Sequence, residues 1–174
     1  MKSIRVLPAG EVERPLLDPV VAALAREYRT SSHVADLEIE PSFAHHPERN
    51  QYHSTAIIEH LSKLNGGSQI LIAVTGFDLY IPILTFVFGE AQLGGTCAVV
   101  SYHRLSQEFY GLPADRSLLR ERLVKEAIHE VGHTLGLTHC EDYECVMAAS
   151  YGVELLDIKG PQLCSYCREL AGLW

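Results

Sequence analysis

The sequence predicts a layered α/β (α+β) fold, and two observations carry that prediction. Strand and helix signals alternate through roughly the first 75 residues, as a sheet covered by helices requires. A single long amphipathic run follows, ending in His129-Glu130-Val131-Gly132-His133, and a cysteine-rich stretch comes after it.

Ser3-Ile4-Arg5-Val6-Leu7 alternates as a half-buried strand does. Pro15 then opens PLLDPVVAALAREYR, whose apolar residues recur at helical spacing; proline suits a first turn because the N–H it lacks would be unpaired there anyway. Val34, Leu37 and Ile39 mark a second strand, and STAIIEHLSKLN reads as a helix with Ser54 as N-cap and Gly66-Gly67 beyond its end. QILIAVT is apolar and β-branched, as a strand buried on both faces should be. Between Gly76 and Leu105 glycines break short apolar segments, which predicts an antiparallel excursion turning near Gly94-Gly95. Its second strand carries Val99, Ser101 and His103 on one face and suits a sheet edge, where unpaired backbone groups can take up an extended peptide.

ADRSLLRERLVKEAIHEVGHTLGL is the clearest helix, with Leu119, Leu123, Ala127, Val131 and Leu135 near one stripe, Asp115 as N-cap and Gly136 as its stop. VELLDI then reads as a strand, Gly160-Pro161 as a turn, and a short terminal helix is expected from Cys164.

Bulk properties exclude several classes. At 174 residues and 47% hydrophobic content the chain can bury the core of one globular domain. The net charge of -8, with no cluster of Lys or Arg, leaves no footprint for a phosphate backbone, so nucleic acid is not an expected partner. QILIAV is too short to span a bilayer, and MKSIRVLPAGEVERP has neither the apolar stretch nor the small-residue site of a secretory leader. A cytoplasmic protein without a membrane partner is the expectation. With no heptad pattern, a monomer is expected as well.

The chemistry concentrates after residue 128. His129 and His133 are one helical turn apart, on one face, so both rings can reach one metal ion. Catalytic zinc takes three protein ligands and keeps one position open. Gly136 can adopt the positive φ that a sharp reversal needs, and His139, three residues on, completes HExxHxxGxxH. Glu130 is displaced around the helix from its neighbour His129 and suits a general base acting on water at the metal. A bare HExxH also arises by chance on polar helices; Gly136 and His139 in register argue against chance.

Of five cysteines, four crowd the last 35 residues as Cys140, Cys145, Cys164 and Cys167, the set a closed tetrahedral zinc site needs. Two disulfides or simply buried thiols are the alternatives, and the spacing together with the expected reducing compartment weighs against them. Because neighbours in extended chain point apart, His139 can serve one metal and Cys140 another. Met147 by itself reads as a flexible core filler, though its place shortly after the third histidine argues for more than that.

HEVGHTLGLTHC with a methionine shortly downstream resembles the metzincin clan, and the four added cysteines resemble the archaemetzincins in particular. The resemblance is detailed over 129–167, extends to GFDLYIPILTFVFGEAQLGGTCAVVS, and is only general over the first 70 residues. It implies a metzincin-like zincin fold: a mixed twisted sheet with helices above a long active-site helix, and a small zinc-stabilised C-terminal subdomain. Residues 1–138 would form the upper part of the single catalytic domain and 139–174 the lower part. It further implies two zinc ions per chain, one catalytic and one structural, a peptide substrate, and Met147 as the Met-turn residue beneath the histidines. Some metzincins add a tyrosine ligand two residues after that methionine; Ala149 stands there, so Tyr151 does not inherit the role. No prosegment is expected, and a peptidase so unrestrained is expected to favour short peptides.

His33, His45, His46, His53, His60 and His103 lack ligand spacing, and His45-His46 reads as loop. Cys97 reads as a small hydrophobe, and Glu141, Asp142 and Glu144 as a solvated loop. Two other functions fit the same motif: a catalytically quiet zinc protein that binds peptides or a partner, and a hydrolase of small-molecule amides. An intact Glu130 favours an enzyme, since a binding module needs no base beside its metal.

Overall fold

The computed structural model describes residues 1–173. β1 (Ile4–Ala9) leads into α1 (Arg14–Tyr28), whose first turn contains Pro15 and whose end is marked by Arg29 at φ 48°. β2 (Ser32–Val34) pairs in parallel with β1. The expected second strand continues past Val34 only as an isolated bridge between Ile39 and Ala9, while Leu37 is exposed. His45-His46 is not loop: β3 (His45–His46) and β4 (Gln51–His53) form an antiparallel hairpin. Strands of two and three residues are too short for a periodicity to show in sequence.

In α2 (Ser54–Leu64) the N-cap is His53, and Ser54 is the first helical residue. Its buried hydroxyl donates to Tyr80 O at 3.1 Å and to the carboxylate of Glu90, which also accepts from Thr55 at 2.9 Å. A carboxylate from a distant strand therefore sits at the positive end of the helix dipole, where a local cap was expected.

β5 (Ile70–Thr75) is buried throughout, β6 (Leu79–Tyr80) joins β4, and β7 (Gly89–Ala91) and β8 (Cys97–Ser101) form the expected antiparallel pair with Gly94 at φ 67° in the turn. The main sheet runs β2-β1-β5-β8-β7, parallel except for β7. β8 is therefore interior, between β5 and β7, and the sheet edge falls to β7. The reason is the long apolar run in β8, buried at all its positions, which only a strand flanked on both sides can hide.

Alternation divides the core by face. Ile4, Val6, Ile72, Val74, Ala98 and Val100 pack under α1 and α3 (Arg116–Thr134), while Leu7, Leu71, Ala73, Cys97 and Val99 pack under α2. Cys97 is fully buried there, as a small hydrophobe. Asp115 caps α3, accepting from Leu118 N at 2.9 Å.

VELLDI is a helix, α4 (Val153–Ile158), not a strand. Its buried residues, Val153 and Leu156, are three apart and so face one side of a helix, and polar groups of α3 fix it. Arg122 grips Asp157 with two bonds of 2.8 and 2.6 Å, and Lys125 donates to Leu156 O at 3.2 Å. α5 (Ser165–Leu170) begins at Cys164, as expected. Val146, Met147, Leu156 and Leu163 join the core beneath α1 and α3, and Glu27 fastens the segment by accepting from Leu163 N and Arg168 at 3.0 and 2.8 Å. Among the described residues no helix is long and apolar enough to cross a membrane.

Candidate active site

The last two turns of α3 present His129, Glu130 and His133 to a cleft of about 660 Å³ walled by β7, Phe86 and Tyr151. His129 Nδ1 lies 2.9 Å from Val146 O, and His133 Nδ1 lies 2.7 Å from Leu137 O. A carbonyl only accepts, so both Nδ1 atoms carry the proton and both Nε2 atoms present lone pairs. Those two lone-pair atoms are 3.0 Å apart. Two acceptors facing each other at that distance repel unless a cation lies between them.

Gly136, at φ 89°, turns the chain back, and the His139 ring centroid comes within 5.3 and 5.2 Å of those of His129 and His133. Donor atoms of the three rings all lie within 4.8 Å of one another. Burial holds all three imidazoles below their usual pKa, His129 furthest, which keeps them neutral as a metal requires. The donor set fits zinc.

Glu130 is 5% exposed, and the cleft admits it because Gly89 stands opposite: a Cβ there would meet Glu130 Cγ and Oε1 at 2.7 Å and Val99 O at 2.8 Å. Burial first, and the charge of Glu126 second, raise the Glu130 carboxyl well above the ordinary range, while Lys159 pulls the other way. Met147 is fully buried and packs its sulfur against Gly132 on α3.

The cysteines form a second group. Cys140 and Cys164 sulfurs are 3.8 Å apart, as are those of Cys145 and Cys167, with all four within 4.8 Å and none in a disulfide. Backbone N–H groups of Met147 and Cys164 point at Cys145 Sγ from 3.4 and 3.3 Å. Burial pushes the Cys145 thiol up to about 11. Four converging sulfurs, of which those of Cys145 and Cys164 already accept backbone donors, fit a thiolate-bound metal. As expected, neighbours His139 and Cys140 fall in different groups.

The six declined histidines join neither group; His46 and His53, for example, pack on Tyr80. Glu141, Asp142 and Glu144 are exposed. Sequence reasoning passed over Gly89, Gly132, Glu126 and Lys159. A glycine inside a strand or helix is a signal of close approach; Lys159, beside a Gly-Pro turn, gave none. A larger recess of about 780 Å³ lies at the carboxyl ends of β1 and β5, lined by Glu11, Tyr102 and Phe109 among others, and holds none of the three histidines.

An open cleft over a helix that carries two histidines and a glutamate, with a third histidine returned to them beyond the helix end, defines on this mixed sheet a zinc metallopeptidase. The family model described as Peptidase family M54 matches residues 36–171, and the chain belongs to that family. Archaemetzincins of Methanocaldococcus jannaschii and Thermococcus kodakarensis are each 38% identical to it, the first over 95% of this chain and 90% of its own length, the second over 97% and 95%. Among solved structures, a zinc-dependent peptidase from Methanocorpusculum labreanum superposes with a TM-score of 0.88 at 33% identity, covering 97% of this chain and 99% of its own. The archaemetzincin of Archaeoglobus fulgidus does so with 0.83 at 35%, with the same coverage. The likeness thus reaches well beyond the 129–167 stretch.

Proposed function

We propose that the chain hydrolyses short peptides, with His129, His133 and His139 holding a catalytic zinc, Glu130 as general base, and Cys140, Cys145, Cys164 and Cys167 holding a structural zinc. The observation that carries this reading is the pair of Nε2 lone pairs 3.0 Å apart on the same helical turn as a buried, cleft-facing carboxylate. A bound zinc supplies Lewis acidity toward a carbonyl and acidifies water. Glu130, whose burial raises its affinity for a proton, is suited to take one from water and return it to the leaving amine.

The edge of β7 lies along the cleft and has backbone groups free to pair with an extended substrate. At three residues it can hold only a short stretch, which supports small peptides over folded proteins. Leu84 and Leu93, both exposed at the rim, favour apolar side chains there.

The test is digestion of a diverse short-peptide library read by mass spectrometry, with Glu130→Ala as control and zinc content measured on both. Cleavage lost in a variant that keeps its metal supports the reading. Absence of cleavage by the zinc-loaded wild type would overturn it and leave the same cleft to a peptide-binding protein without turnover.

A further inference from the structure

Lys159, just after α4, is 2% exposed although charged. Removing an ammonium from water costs several kcal/mol before its partners repay it, so its partners matter. Nζ donates to Ala148 O at 3.1 Å and to Glu126 Oε1 at 3.3 Å, and lies 3.5 Å from His129 Nδ1.

The bond to Ala148 completes a series. Three consecutive carbonyls are each held from a different part of the chain: Val146 O by the His129 ring at 2.9 Å, Met147 O by Cys140 N at 3.0 Å, and Ala148 O by Lys159. The first orients His129; the residue between carries the sulfur that packs on α3. Glu126, one turn before Glu130 and 4% exposed, neutralises the ammonium.

We propose that Lys159 is a positioning residue of the active site: its ammonium pins Ala148 O, and so fixes the 146–148 segment that orients the His129 ring and seats Met147 on α3. The proposal rests on the reading of His129 as a metal ligand. A purely structural ion pair predicts something different, because neutral or apolar replacements of buried pairs often leave stability unchanged or improved.

The experiment compares wild type with Lys159→Met/Glu126→Gln, which removes the donor without stranding a charge. Co²⁺ is loaded at the histidine site, and its visible spectrum, its transfer rate to a chelator, the unfolding midpoint, and kcat and KM are read. Loss of a group that orients a metal-ligating histidine typically costs about 10–100-fold in metal affinity or activity. The expected result is a shifted spectrum, release faster by about that factor, and a fall in kcat with KM little changed. A folded double variant with the wild-type spectrum and release rate overturns the proposal, whatever its peptide turnover. Because spectrum and release are independent of peptide cleavage, a wild type that binds Co²⁺ but cleaves nothing refutes only the peptidase reading. If the double variant does not fold, Lys159→Met alone decides, since a buried carboxyl left without its cation takes up a proton: a shifted spectrum and faster release are expected, and wild-type values for both overturn the proposal.

Discussion

Met147 Sδ occupies the space that a β-carbon on Gly132 would need, and Tyr28 Oη closes the same spot at 3.3 Å. Alanine in a helix interior ordinarily gains about 1 kcal/mol over glycine, but overpacking a filled core costs about 1–3 kcal/mol. Met147, fully buried, has nowhere to retreat. Gly132→Ala is therefore expected to lower the urea midpoint, against its helix propensity. Adding Met147→Ala should cost less than the sum of the two single changes, since one cavity receives the other's methyl. A midpoint raised by Gly132→Ala alone would show that the contact yields.

A second glycine acts on chemistry. The β-carbon of Gly89→Ala would press on the Glu130 side chain from one side and on Val99 O from the other. The carboxylate is the softer neighbour and is expected to move, and displacements near 1 Å at a reacting group can cost about 100-fold in rate. Peptide turnover should fall about 10–100-fold while zinc content and unfolding midpoint stay near wild type. Loss of metal instead would place the damage at the histidines.

The cysteine group predicts metal stoichiometry. Elemental analysis of protein purified under reducing conditions should find two zinc ions per chain, one resisting mild chelation as a closed thiolate site should. Cys164→Ser should lose the resistant ion and expose the segment from Cys140 onward to proteolysis. One zinc in the wild type, with any of these cysteines oxidised, would refute the assignment.

Tyr28 gives a pH dependence of stability. Its hydroxyl donates to Ile128 O at 2.5 Å, and burial, with Glu27 second, raises its pKa well above the usual value. The folded state thus prefers the protonated phenol, so this contribution is complete below the unfolded pKa of about 10 and disappears as pH rises through the folded value. Wild type should exceed Tyr28→Phe by about 0.5–1.5 kcal/mol at pH 8. The gap should shrink in urea melts above pH 10; a gap constant to pH 11 would contradict the assignment.

How far these features were legible depended on whether the signal was local. His129, His133, Gly136 and His139 sit within eleven residues whose spacing is fixed by one helix and one turn, and the four cysteines announce themselves by type. α1, α2 and α3 show their own periodicity, and β5 its unbroken apolar run. β3 and β4 are too short to show any, and VELLDI is equally apolar as strand or helix until Arg122 and Lys125 claim it from α3. That β7 rather than β8 is the edge follows from β5 pairing with β8 across the sheet, which no local pattern encodes. Lys159 gave no signal because its partners, Glu126 and Ala148 O, lie 33 and 11 residues away.

His139 is exposed, and its ring nitrogens, unlike those of His129 and His133, have no hydrogen-bond partner among the described residues. On the proposed reading of the three as ligands, two imidazoles are clamped by hydrogen bonds and the third is not, so a competing chelator is expected to release the ion at His139 first. Such a site has little steric means to refuse Co²⁺, Ni²⁺ or Cu²⁺, which imidazole nitrogens bind in the general order of the series. On that reading, the metal that fills it is expected to be set less by the protein than by what the surrounding solution keeps available.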